Sequence, residues 1–224
     1  MPYEYVLVQK VLAALLIGYL FGAVPFAHTA ARLRGVDIFA TGNRTAGAAN
    51  VFWNIGRRTG TLVFVADLAK GSAAVIIAQL LEVPGSVVLL AGAAAIFGHW
   101  KSVFSGFRGG DGMSPLMGVT LALIPTLAPI GIVAGFTVIL LLWRSVWRSS
   151  WVIAVCFAVI LGLSLYYQIE PGLVLGLTGL AWLVLVRSRI ARRRRSRVPE
   201  EEEIALDLEL EQETELGPAA PDNR

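Results

Sequence analysis

Residues 113–143 read MSPLMGVTLALIPTLAPIGIVAGFTVILLLW, and the division of this run fixes the number of membrane crossings. It is 31 residues long, whereas about 20 apolar residues suffice to cross about 30 Å of hydrocarbon as a helix. Pro125 and Pro129 fall inside it, and each ring removes a backbone donor and crowds the preceding turn. Two shorter helices are therefore predicted. Working outward, further apolar runs occupy residues 11–31, 61–81, 84–100, 150–167 and 171–186. The sum is seven transmembrane helices, an all-α integral membrane protein.

Composition agrees with that class. Of the 224 residues, 56% are hydrophobic and 16% charged, with a mean hydropathy of +0.68; soluble domains carry about a quarter charged residues. The charges also cluster. Ten of the 16 acidic residues lie between Glu200 and Asp222, and seven of the 19 basic ones between Arg187 and Arg197. Basic loops stay cytoplasmic, so the Arg187–Arg197 cluster is expected inside. Counted back through seven crossings, residues 32–59, 101–112 and 144–149 are inside too, with Arg32, Arg34, Arg44, Arg57, Arg58, Lys101, Arg108, Arg144 and Arg148. Glu82, Glu170 and the amino terminus are then outside. Six crossings would put the second and third basic loops on opposite faces. The net charge of +3 thus has a topological explanation, and no nucleic-acid partner is expected.

Residues 1–190 form the expected membrane domain. Residues 191–224 change to an Arg-rich and then acidic cytoplasmic tail, EEEEIALDLELEQETELGPAAPDNR from Glu200, expected to lack stable structure. The first apolar run lacks the basic n-region of a signal peptide and is expected to stay as a helix. Cys156, the single cysteine, excludes an internal disulfide and any CxxC site. No metal cluster or nucleotide fingerprint occurs, and no cofactor is expected.

Three polar segments are candidates for chemistry. Residues 32–58, RLRGVDIFATGNRTAGAANVFWNIGRR, are long for a connector; glycine amides together with Asn, Thr and Arg donors suit phosphate oxygens. Topology signals and turn glycines are the plainer reading. In the second span, Asp67 and Lys70 share one helical face. Charges at that depth cost about 2.5–3.5 kcal/mol each, so they mark a functional site or a structural ion pair. Gly98-His99-Trp100 ends the third span, and Arg108-Gly109-Gly110-Asp111-Gly112 leads into a helix, a pattern that offers amides to an anion. His99 is a candidate proton relay or phosphate donor, or else an interfacial residue whose polar groups are satisfied. The Asp111 carboxylate repels an anion unless it pairs with an arginine such as Arg108.

Taken together, these segments resemble the PlsY family of bacterial membrane acyl-phosphate:glycerol-3-phosphate acyltransferases. The resemblance rests on GYLFGAVPF (18–26), GVDI (35–38), GAANV (47–51), IG (55–56), DLAKG (67–71), GH (98–99) and the F-basic-G-G-x-G loop at 107–112. Their order and spacing, with the seven-span topology, make it specific. The chain departs from the family pattern at three positions. Asn43, Trp53 and Asp111 stand where it has serine, arginine and lysine, and the His and Asn that the family tends to carry beyond the last span are replaced by VRSRIARRRRSR.

The resemblance implies transfer of an acyl group from acyl phosphate to the 1-hydroxyl of glycerol 3-phosphate, giving lysophosphatidate for phospholipid biosynthesis in the bacterial cell membrane. The partners are those two substrates and the lipid bilayer; oligomeric state is not legible. Acyl phosphate is already activated, so no covalent nucleophile is needed. Under this reading Arg108, Gly109, Gly110 and Gly112 hold one phosphate, with Asn43, Arg44 and Asn50 near the other. His99 is the catalytic donor or relay, and Asp67 and Lys70 orient the loops. The competing readings are a catalytically reduced relative that binds lipid phosphate or acts as a scaffold, and a small transporter using Asp67 and Lys70. Absence of an internal repeat weighs against the transporter.

Overall fold

The computed structural model describes residues 3–141 and 148–190. Every regular element among them is helical: α1 (Tyr3–Ala23), α2 (Phe26–Arg32), α3 (Ala48–Asn54), α4 (Arg57–Leu80), α5 (Leu89–Trp100), α6 (Met113–Leu123), α7 (Ala128–Leu141), α8 (Arg148–Tyr166) and α9 (Pro171–Ile190), with short 3-10 turns at Gly85–Val88 and Val103–Ser105. Four helical runs have the length and composition to cross a membrane: Glu4–Arg32, Arg57–Leu80, Gly85–Ser105 and Pro171–Ile190. The apolar helices Met113–Leu123, Ala128–Val138 and Trp151–Tyr166 are shorter.

The 113–143 run divides as expected, through a turn at Ile124–Leu127. The two prolines differ in effect. Pro125 sits in the turn, whereas Pro129 is the second residue of α7, where the missing N–H is one that a helix leaves unpaired anyway. The run at 11–31 is not one helix: it breaks at Val24-Pro25 into α1 and α2, because proline cannot donate to the carbonyl one turn back. Nor is the 32–59 segment all loop, since it holds α3 and Arg57 and Arg58 begin α4. The tail at 191–224 and most of the 144–149 loop lie outside the described residues.

Lateral packing relies on small residues. Gly18 and Gly22 of α1 face the backbone of Ala91 and Ala95 on α5, and Gly98 faces the carbonyl of Tyr19. Backbones approach this closely only where side chains are absent, the usual way helices associate in lipid. The other face of α1 carries Tyr5, Val8, Leu12, Leu16 and Leu20, all exposed; such a stripe is at home against acyl chains. α4 packs on α1, α3, α5 and α6, and α7 on α8.

The bundle has two distinct ends. At one, Lys10 Nζ lies 2.6 Å from Glu82 Oε2, holding the Glu82 carboxyl below the usual carboxylate range, and Gly172 at the start of α9 approaches Ser86. At the other end meet the end of α1, the loop before α3, the end of α5, the start of α6 and the end of α9. All three polar segments and their contacts lie there.

Candidate functional site

Three breaks in helical regularity build the site. At Val24-Pro25, carbonyls at the end of α1 lose their helical donors. Lys70, one turn from Asp67 on α4, donates from Nζ to Val24 O at 3.0 Å, and Ser102 Oγ donates to Ala23 O. Lys70 Nζ also lies 2.8 Å from Asp67 Oδ1, with both side chains 3% or less exposed. Asp67 Oδ2 has no hydrogen-bond donor among the described residues. The Asp67–Lys70 pair is therefore inset into the bundle, and it ties α4 to the unwound corner of α1.

The second break follows α5. His99 is buried, with Nδ1 3.7 Å from Asp67 Oδ1, too far for a direct hydrogen bond. The chain then folds back. Gly110 N donates to His99 O at 3.2 Å, Trp100 Nε1 to Asp111 O at 3.0 Å, and Phe107 N to Ser102 O at 2.8 Å. Glycine is required sterically here: a Cβ on Gly109 would overlap the His99 carbonyl, and one on Gly110 the His99 imidazole. Gly112 has φ +90° and packs on the Trp100 indole.

The third is the loop between α2 and α3. Asn50 is buried at its base, with Nδ2 3.2, 2.9 and 2.9 Å from the carbonyls of Ile38, Thr41 and Thr45, while Oδ1 accepts from Asn54 Nδ2 at 2.8 Å. Two amide protons serve three carbonyls. Asn43 Oδ1 accepts from the N–H and hydroxyl of Thr45 at 3.1 and 2.6 Å, an Asx turn with Arg44 at its centre at φ +55°. Ala46 N donates to Gly109 O at 3.3 Å, joining this loop to the glycine loop.

These breaks leave one cleft, lined by Phe26, Lys70, His99, Ser102, Arg108 and Gly109 among others. Its interior volume is about 10 Å³, on the order of one water molecule. Arg108 is its exposed wall, with the guanidinium carbon 3.9 Å from the centre of the Phe39 ring, a cation–π geometry. The cleft thus presents a guanidinium, an imidazole, a hydroxyl and the Lys70 ammonium with its Asp67 carboxylate around a narrow space. The set includes donors of the kind phosphate oxygens accept from and an imidazole able to exchange a proton, around a space that as it stands has room for about one water.

Of the residues singled out by sequence, His99, Arg108, Gly109, Asp67 and Lys70 line this cleft. Gly110 and Gly112 shape the loop behind it. Asn43, Arg44 and Asn50 do not line it; the Asn50 amide faces backbone carbonyls of its own loop. Trp53 packs edge-on against Phe52, ring centres 4.9 Å apart.

Three contributors escaped sequence reasoning. Ser102 carried no signal beyond following His99. The Val24 carbonyl was foreshadowed by Pro25. Arg187 was read only as a topology charge, yet its Nη1 donates to Gly110 O at 3.0 Å.

Comparison with known proteins agrees with this geometry. The sequence profile of the family described as glycerol-3-phosphate acyltransferase matches residues 12–196. A glycerol-3-phosphate acyltransferase of Geotalea daltonii is 39% identical over 61% of this chain and 70% of its own length. Glycerol-3-phosphate acyltransferase 1 of Deinococcus radiodurans is 38% identical over 64% and 69%. Among solved structures, PlsY (YgiH), an integral membrane glycerol 3-phosphate acyltransferase, in its glycerol 3-phosphate form, superposes with a TM-score of 0.71 at 28% identity, over 82% of this chain and 90% of that one. The lysophosphatidic acid form of PlsY gives a TM-score of 0.68 at 26% identity. On the strength of the profile match and these relatives, the chain belongs to the glycerol-3-phosphate acyltransferase family.

Proposed function

We propose that this multi-pass membrane protein acylates the 1-hydroxyl of glycerol 3-phosphate, with acyl phosphate as donor, releasing inorganic phosphate and lysophosphatidate for phospholipid synthesis. One observation carries the reading: Lys70, His99, Arg108 and Gly109, from α4, α5 and the glycine loop, line a single cleft at one end of apolar helices, in a chain of this family.

The chemistry follows from that set. The hydroxyl oxygen forms a bond to the acyl carbon as the carbon–oxygen bond to phosphate breaks; the proton leaves for the departing phosphate or for His99. Two anions must meet, so the cations of Arg108 and of Lys70, the latter held by Asp67, offset their repulsion. The donor's acyl chain gains about 0.8 kcal/mol per buried CH₂ and stays in lipid, while its phosphate reaches the bundle end. Gly109, with Gly110 and Gly112 shaping its loop, and Arg108 hold one phosphate; Asn43 and Arg44 lie on the neighbouring loop toward the other, and Asn50 holds that loop in shape. Asp67 orients Lys70.

The proposed topology is seven crossings with the amino terminus outside and the carboxyl terminus cytoplasmic, in a bacterial cell membrane. Its support is the basic content of the end that carries the cleft. Membranes containing the protein, supplied with acyl phosphate and labelled glycerol 3-phosphate, test the reading. Labelled lysophosphatidate is expected. Its absence overturns the reading, and label trapped in vesicles without acylation indicates a transporter instead.

A further inference from the structure

The glycine loop is rich in residues that are costly to order. Residues 106–112 include four glycines, and each glycine loses more backbone freedom on ordering than any other residue. Backbone bonds from Ala46 and to His99 hold Gly109 and Gly110. Phe107 N donates to Ser102 O and Arg108 N to Ser105 O, which hold the first half of the loop; from Gly110 onward it is contacted by Trp100 and by Arg187, 77 residues away on the last turn of α9.

Arg187 bears, directly and through Trp100, on the two successive carbonyls that flank Asp111. Its Nη1 donates to Gly110 O at 3.0 Å, a charge-assisted bond roughly twice as strong as a neutral one. Its guanidinium carbon lies 4.6 Å from the centre of the Trp100 ring, and that indole donates to Asp111 O. The peptide bonds among the described residues are trans, so a Gly110 carbonyl turned toward Arg187 turns the Asp111 N–H the opposite way. The orientation of an amide donor in the loop is thereby set from a distant helix.

We propose that Arg187 is a positioning residue for acyl transfer: its guanidinium, bonded to Gly110 O and stacked on Trp100, fixes the glycine loop in the shape that receives a phosphate group. This deepens the acyltransferase reading and rests on it for the identity of the phosphate, which is either that of glycerol 3-phosphate or that of the acyl donor. Lysine at 187 can still donate to the carbonyl but cannot lie flat on the indole as a guanidinium does.

The test uses the full chain purified in detergent, with Arg187→Met, Arg187→Lys and, as a control for charge in the basic cluster, Arg193→Gln. KM and kcat are measured for each substrate, and binding of glycerol 3-phosphate and of inorganic phosphate is titrated calorimetrically without donor. Arg187→Met is expected to raise one KM and to weaken the matching titration at least tenfold, with kcat and melting temperature little changed. Arg187→Lys should fall between it and the parent, and Arg193→Gln should match the parent. A rise for glycerol 3-phosphate assigns the loop to the acceptor; a rise for acyl phosphate with weaker inorganic phosphate binding assigns it to the donor. If both titrations and both KM values of Arg187→Met stay within twofold of the parent, or only kcat falls, the inference is wrong while the acyltransferase reading stands. If the parent binds phosphate and Arg187→Met weakens it but no lysophosphatidate forms, the acyltransferase reading fails and the clamp survives. A parent that neither binds nor transfers overturns both.

Discussion

Removing the cation at the centre of the bundle gives a sharp test of how the cleft is held. In Lys70→Met the side chain stays long and apolar, but the Asp67 carboxylate, 2% exposed, loses the ammonium 2.8 Å away, and Val24 O loses its donor. Breaking a buried ion pair by deleting one partner costs about 3–5 kcal/mol. At about 2–4 °C per kcal/mol for a chain of this size, the melting temperature should fall by roughly 6–20 °C. The double variant Asp67→Asn, Lys70→Met removes the uncompensated charge and should recover most of that loss. Activity should not recover with it, because the cleft still lacks its ammonium. Thermal unfolding by intrinsic fluorescence, run beside acyl transfer on the same preparations, separates the two quantities. A Lys70→Met melting temperature within about 2 °C of the parent would refute the argument from burial. An active double variant would refute the role given to Lys70.

Further predictions follow from other parts of the site. His99→Ala and Arg108→Ala should each lower acyl transfer at least tenfold in membrane assays, with normal rates in both removing the cleft as the site. Asn50→Asp replaces a donor facing three carbonyls by an acceptor and should destabilise by about 2–4 kcal/mol, read as a lower denaturation midpoint; a midpoint equal to the parent's would show that those bonds do not hold the loop. Gly22→Val drives a Cβ into the Ala95 carbonyl and should abolish folded protein on size-exclusion chromatography. Gly162→Ala on α8 meets nothing within 4 Å and should leave folding intact or improve it by up to about 1 kcal/mol.

Much of the helical architecture was legible because apolar runs broken by polar or proline residues mark helices, four of them long enough to cross a membrane and three shorter. The break was readable because a proline ring marks a helix edge: Pro125 falls in the turn and Pro129 at the start of the helix that follows it. Val24-Pro25 carried the same signal inside an apolar run, and there it was passed over. At the site, Asp67 and Lys70 stood out because charges in apolar surroundings are costly, and His99 and Arg108 because they flank a glycine-rich loop that leads into a helix. The role of Asn50 was opaque, since an amide that binds a ligand and one that binds its own backbone have the same sequence signature. Arg187 was hidden by its neighbours: it is the first of seven arginines between Arg187 and Arg197, and nothing in that run marks which of them reaches the glycine loop.

The central claim is that the cleft between Lys70, His99 and Arg108 is where the acceptor's phosphate and hydroxyl are brought to the donor. Its most direct test is an experimental structure of the purified protein with glycerol 3-phosphate bound. The account predicts a phosphate within hydrogen-bond distance, about 3 Å, of Arg108, the glycine loop or the donors of the adjoining 41–46 loop, with the 1-hydroxyl facing His99. A ligand bound at the Lys10–Glu82 end of the bundle, or with its hydroxyl remote from His99, would contradict it.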